Sequence, residues 1–463
     1  MDRLDREFNL LAASAERTAR VQRDEVKRFL DATQRQPVAS TKAATSVAKG
    51  DSQPRRGAIL AKHLHGAYDA LIAHVAQRVA DYETLPDAKS KVGALTEMRQ
   101  MVVGARNLHR SLSWLDAAGN PPLDLGTRYL VDQITATLVV GHAEITVVAA
   151  TDRSYATVTN PLRPVFELSG ATLPSDETII VVFVPRREQR SGLLHPLIMH
   201  ELGHAANKRH NLVARVLMTE SGSKELSTVM GGARKNAEAS AKAAVGTDEL
   251  ATVAEDVAAR FLAWIEEAIC DAIAAHILGP TYLYSFMAIV GTSDIDAAGD
   301  EHPTTRQRIR LLLTQLDGLG WHTVLGDAAP NIDEWFREAA SEAPGHADPD
   351  VACCEAALAR LYQEIVDVVA DHLNDLVFRA SDFDPIREEI GGLLALGIPP
   401  CQTVARAPIG RAAIILGSWL FAVEAQGGGL DALAVAADVP ELSRLLPKAL
   451  QDAAMLEAWE ARS

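Results

Sequence analysis

The sequence predicts an α-rich α+β fold: a small β-sheet set in an otherwise helical chain that closes with an extended helical C-terminal region. Three observations carry that prediction. Apolar residues recur at helical spacing through most of the 463 residues, β-branched runs are confined to 127–185, and alanine-rich amphipathic segments fill nearly everything after residue 190.

Residues 3–34 alternate charged and apolar positions at helical spacing, then give way to PVASTKAATSVAKGDSQP. That stretch is rich in Ser, Thr and Ala and poor in large apolar side chains, so it reads as a linker. From Arg56 to about Leu112 the pattern is helical again, and His63, His65 and His74 lie on it without a metal-ligand spacing. The runs TATLVVG, AEITVVAAT and ETIIVVFVP read as strands separated by turn residues. The last of them passes through the basic loop PRREQRSG into a helix beginning near Leu193. Amphipathic helical segments then cover 213–278, 303–316, 351–377 and 404–425, with breakers at Gly279-Pro280, Gly391-Gly392 and Pro399-Pro400. The organisation expected is an N-terminal helix and linker (1–53), a motif-bearing region (54–345, motif core 178–315) and a C-terminal helical region (346–463).

Composition narrows the function classes. With 45 Lys and Arg against 61 Asp and Glu, the net charge of -16 argues against a nucleic-acid backbone or an anionic membrane as the main partner. The four cysteines, Cys270, Cys353, Cys354 and Cys401, form no CxxC pair, so neither a zinc ribbon nor a disulfide framework is expected. The first residues lack the apolar stretch of a secretory signal. The most apolar late stretch, AAIILGSWLFAV, is shorter than the roughly 20 residues that span a bilayer and is flanked by Arg411 and Glu424, so it reads as a buried helix. A cytoplasmic protein without a transmembrane segment is the expectation.

The segment LLHPLIMHELGHAANKRH carries the chemistry. In HELGH the four-residue spacing of His200 and His204 puts both imidazoles on one helix face, one turn apart, where two nitrogens reach one zinc ion. Glu201 beside the first ligand is placed to act as general base towards a water activated by the metal. A catalytic zinc needs a third protein ligand. In WIEEAICDAIAAHILGP, Glu267 and Asp271 share a helix face, so Glu267 can bind zinc while Asp271 accepts the free N–H of a ligand histidine. Glu266 is the rival, but its neighbour one turn on is Cys270. A second candidate is His210, which completes HExxHxxNxxH and resembles the metzincin pattern, with Asn207 where a turn-forming Gly is usual and Met230 in STVMGGA standing for a Met-turn. Spacing alone leaves both open.

HELGH and EEAICD together resemble the gluzincins, zinc peptidases with HExxH on one helix and ExxxD on a later one. EHPTTRQRIRLL is similar to the HPxxxxRI segment of the membrane-embedded prenyl-protein and heat-shock metallopeptidases. The resemblance covers about residues 178–315. It implies a zincin-like core that hydrolyses peptide or protein substrates, a bound Zn2+, a role for His302 in stabilising the oxyanion, and one for Arg308 in bracing the site electrostatically. The chain departs from those relatives in having no transmembrane helices, and it lacks the GxMEN string of gluzincin aminopeptidases, which favours an endopeptidase.

Two alternatives accompany that reading: a metzincin-like peptidase using His210, and a catalytically inactive, zinc-stabilised binding or scaffold protein. As a further expectation, the strand Glu177–Val184 pairs with an extended substrate. His195 lies about 140° around the helix from His200 and is expected to stay off the metal. His276, Tyr282 and Tyr284 are expected to serve packing, although either tyrosine is chemically able to donate to an oxyanion.

Overall fold

A computed structural model describes residues 3–35, 58–119, 123, 125–138, 142–150, 155–169, 177–186, 188, 191–240, 247–291, 295–341, 348–373, 376–429, 431–437 and 439–460. The expected linker at 37–54 and the expected boundary at 345–346 lie outside the described residues. In chain order the elements are α1 (Arg3–Arg35), α2 (Ala58–Tyr82), α3 (Ala88–Gly119), α4 (Leu125–Leu138), β1 (His142–Ala150), β2 (Ala156–Thr159), α5 (Arg163–Leu168) and β3 (Glu177–Pro185). There follow α6 (Leu197–His210), α7 (Leu212–Met218), α8 (Glu220–Ser240), α9 (Thr247–Leu278), α10 (Pro280–Val290), α11 (Thr305–Gly318), α12 (Trp321–Ala328) and α13 (Pro330–Ser341). The remainder is α14 (Pro349–Leu373), α15 (Ala380–Phe383), a 3-10 turn (Asp384–Ile386), α16 (Arg387–Ala395), α17 (Arg411–Ala425), α18 (Asp431–Ala436) and α19 (Pro440–Glu460). The α-rich α+β class read from the sequence matches this inventory.

Contacts divide the chain into two compact units, one of residues 1–123 with 140–186 and one of 124–139 with 187–463. In the first, Phe8, Ala12, Ala15 and Ala19 form a stripe along α1 that buries against Leu60, Leu64 and Tyr68 of α2 and Met98 and Met101 of α3. Ile179 and Val181 of β3 belong to the same core. The three-stranded sheet has the order β1-β3-β2, with β1 parallel to β3 from His142↔Glu177 to Ala150↔Pro185 and β2 antiparallel from Ala156↔Phe183 to Thr159↔Ile180. Because β3 is the central strand, paired along its length with β1 and over Ile180–Phe183 with β2, the expected pairing of Glu177–Val184 with a substrate strand has no continuous free edge among the described residues.

TATLVVG, read as a strand, is corrected in part: Thr135–Leu138 form the last turn of α4, and residues 139–141 lie outside the described residues. Buried Leu130, Val131, Ile134 and Leu138 recur three or four apart, and this helical stripe prevails over the β preference of the local Thr residues. The strand at Ala156–Thr159 was not anticipated. Gly391 and Gly392, expected to break a helix, lie inside α16.

In the second unit α9 is the central helix, packed by α6, α8, α11 and α14. The turn that leads into α6 is fixed from several sides. The Leu193 carbonyl accepts from Ser285 Oγ of α10 at 2.6 Å and from Trp419 Nε1 of α17 at 3.0 Å. His195 Nδ1 meets Thr127 Oγ1 of α4 at 2.9 Å, away from His200, as expected. α17 buries Ala413–Trp419, and among the described residues no helix is long and apolar enough to cross a membrane.

Candidate metal centre

The site grows from the contact of α6 with α9. Gly203, between the two histidines of HELGH, faces α9 so closely that a Cβ there would stand 2.9 Å from the Cys270 Cα. A helix that presents glycine at its crossing point lets the two backbones approach and brings the acidic face of α9 up to the imidazoles. Glu267 is 5% and Asp271 3% exposed, so both carboxylates are desolvated and need partners.

His200, His204 and Glu267 converge: one ligand atom from each lies within 4.8 Å of the others. His200 Nε2 is 3.2 Å from Glu267 Oε2, and His204 Nε2 is 3.4 Å from Glu267 Oε1. These separations are close to the edge of a tetrahedron, about 3.3 Å for metal–ligand bonds of about 2.0 Å. Both rings are held from behind. His200 Nδ1 donates to Asp271 Oδ1 at 2.9 Å, and His204 Nδ1 donates to Glu266 Oε1 at 2.9 Å. A proton on each Nδ1 leaves each Nε2 able to offer its lone pair. Glu267 Oε2, buried, faces two imidazole nitrogens, His200 Nε2 at 3.2 Å and His302 Nδ1 at 3.0 Å. Lone pairs and a carboxylate aimed at one point require a cation there, a proton or a metal ion, and this donor set fits a divalent metal.

Asp271 is locked in turn. Arg308 of α11 donates from Nε to Oδ2 at 2.8 Å and from Nη2 to Oδ1 at 2.6 Å, and the Tyr282 hydroxyl donates to Oδ1 as well. The Arg308 guanidinium lies 4.3 Å from the centre of the Phe286 ring and 3.9 Å from Glu267 Oε2. Its helix is started by Thr304, whose hydroxyl accepts from Gln307 N at 3.1 Å. His302, half exposed just before that cap, sets Nδ1 3.0 Å from Glu267 Oε2. Glu201 follows His200 on α6 and is 8% exposed.

Burial alone would depress the His200 proton affinity, but the charge of Glu267 and the bond to Asp271 outweigh it and push the imidazole up to about 10. Burial likewise works to raise Glu267 and Asp271. The cationic His200, with His302 and Arg308, overrides it for Glu267, which stays ionised well below the usual carboxylate range. For Asp271 the Arg308 charge and the His200 bond prevail, holding it at about 2. The bond from His204 lowers Glu266.

The metzincin-like alternative is corrected by the path of α6. The chain does not turn at Asn207 but stays helical to His210, and the left-handed residue is Asn211, at φ 53°. Asn207 Oδ1 accepts from Val213 N at 3.0 Å, tying α6 to the start of α7. His210 therefore sits ten residues, about 15 Å of helix, from His200. Its Nε2 donates to the Leu138 carbonyl at 2.6 Å, so that nitrogen is committed away from a metal shared with His200. Met230 is inside α8, not in a turn.

Among the remaining candidates, His276 is buried, with its pKa pushed down by burial. Tyr284 packs against Phe336 and Trp419. The Tyr282 hydroxyl is committed to Asp271, which removes it as an oxyanion donor and gives it a place that sequence reading had missed. Glu266, weighed only as a rival of Glu267, was missed as the partner of His204. The available signal was chemical: two ligand imidazoles need two acceptors for their outer N–H groups, and EEAICD offers three carboxylates, one more than a lone metal ligand with a single anchor would use. Comparison of the chain with protein-family models, with curated proteins and with solved structures finds no match.

Proposed function

We propose that the protein is a zinc-dependent peptidase of the gluzincin kind, with His200, His204 and Glu267 holding the metal and Glu201 as general base. The convergence of those three ligands, each imidazole backed by its own carboxylate, is the observation that carries the reading. Two imidazoles and a carboxylate suit zinc best among common divalent ions. A zinc ion, when bound, polarises the scissile carbonyl and makes water nucleophilic near neutral pH.

The chain's own residues do the rest. Glu201 takes the proton from the attacking water and returns it to the departing amine, one carboxylate serving both transfers. Asp271 and Glu266 keep the ligand imidazoles in one tautomer. Arg308 neutralises Asp271 and places a second positive charge near Glu267, while His302, at the exposed edge, is the side chain assigned to the developing oxyanion. The substrate class is a peptide or protein.

Glu201→Gln tests this directly, with unfolded casein and a mixed-sequence peptide library as substrates. The variant is expected to keep its zinc and to lose turnover by about 10²–10⁴-fold. Unchanged cleavage by Glu201→Gln would refute the assignment of the base. A zinc-loaded wild type that cleaves nothing yet captures a protein partner would favour the scaffold reading.

A further inference from the structure

Exposure is graded across the metal centre. The side chains of His200, Asp271 and Glu267 are 10%, 4% and 6% exposed, whereas those of His204 and Glu266 are 21% and 31%. The His200 arm is immobilised, since its anchor Asp271 receives two bonds from Arg308 and one from Tyr282. The His204 arm is backed more lightly: its ring is steered by one partly exposed carboxylate, Glu266 Oε1, at 2.9 Å, which the Asn207 side chain of α6 also bonds. A neutral imidazole carries its proton on either nitrogen, and in water the two forms differ little in energy. Without an acceptor behind it, the His204 ring is free to rotate or to hold its proton on the nitrogen that faces Glu267.

We infer that Glu266 is the positioning residue for His204, so that the working motif on α9 is Glu266-Glu267-x-x-x-Asp271: one carboxylate for the metal between two that each orient one ligand histidine. The geometry follows from the helix. Glu266 and Glu267 are adjacent and about 100° apart around α9, while Asp271 stands one turn beyond Glu267. The Gly203–Cys270 contact brings α6 against this same face, so the three carboxylates straddle the pair of imidazoles. The assignment rests on the proposed metal site and adds a function to a residue that sequence spacing weighed only as a rival of Glu267 for the metal.

The test compares wild type, Glu266→Ala and Glu266→Gln by zinc competition against a chromophoric chelator, alongside thermal melting of the metal-free proteins. Glu266→Ala should bind zinc about 10–100-fold more weakly. Its metal-free melting temperature should stay close to wild type, because the side chain is partly exposed at the rim of the site. Glu266→Gln, whose amide oxygen still accepts from Nδ1, should recover most of the loss. Wild-type affinity in Glu266→Ala would overturn the inference while leaving the metal site standing. So would weak binding by Ala and Gln alike, accompanied by a lowered metal-free melting temperature, which marks a fold effect. No zinc uptake by wild type would overturn the peptidase reading and this inference with it.

Discussion

Gly203 touches the backbone of Cys270: a side chain at position 203 would begin 2.9 Å from the Cys270 Cα and 3.0 Å from its Cβ. Real Cβ atoms do not approach so closely, so the glycine of HELGH is required by the neighbouring helix. Gly203→Ala would raise helix propensity yet force α6 and α9 apart, moving both imidazoles away from Glu267. The expected outcome is a loss of about 1–3 kcal/mol in stability, with weakened zinc binding. Denaturant melts and zinc titration check it; a variant that is more stable and binds zinc normally would show that the crossing tolerates a methyl group.

Arg308 is matched to Asp271 by two short bonds in a buried setting. Replacing it with Met fills similar space but removes the guanidinium that balances the Asp271 charge, leaving the buried carboxylate to His200 and the Tyr282 hydroxyl. A cost of about 3–5 kcal/mol is expected from breaking a buried pair on one side. Arg308→Lys should recover only part of it, since an ammonium cannot reproduce the two-pronged contact. The double variant Arg308→Met with Asp271→Asn should be less destabilised than Arg308→Met alone, which urea denaturation reads directly.

Zinc binding should release protons. In the metal-free protein His200 is held protonated up to about pH 10 by Glu267 and Asp271. Its raised pKa means that the stability it lends the metal-free fold is complete below its ordinary value near 6.5 and is lost as pH rises through about 10. A metal ligand must be deprotonated, so uptake at pH 7 should displace about one proton and apparent affinity should rise about tenfold per pH unit over the neutral range. Calorimetric titration in two buffers of different ionisation enthalpy checks this; a buffer-independent heat would contradict it.

How much of this was legible in the sequence depends on the range of the interaction. HELGH is a local pattern, and one helical turn suffices to put His200 and His204 together. β3 was legible because an unbroken β-branched run bounded by turn residues admits few other readings, and its burial on both faces matches that run. Thr135–Leu138 were misread because threonines carry β preference, while burial of a helical stripe on α4 decided the outcome. The choice between Glu267 and His210 turned on whether the helix continues past Asn207, and α6 runs on to His210 before Asn211 takes the left-handed conformation. The parts of Glu266 and Tyr282 depend on how α9 and α10 are rotated against α6. That rotation is set by contacts between residues tens of positions apart, such as Gly203 with Cys270, which no local spacing reports.

The central claim is that His200, His204 and Glu267 hold one metal ion. Elemental analysis of purified wild type beside Glu267→Ala and His210→Ala tests it most directly. One zinc per chain in wild type and His210→Ala, with loss in Glu267→Ala, is the result this structure predicts; zinc retained by Glu267→Ala, or absent from wild type, would contradict it.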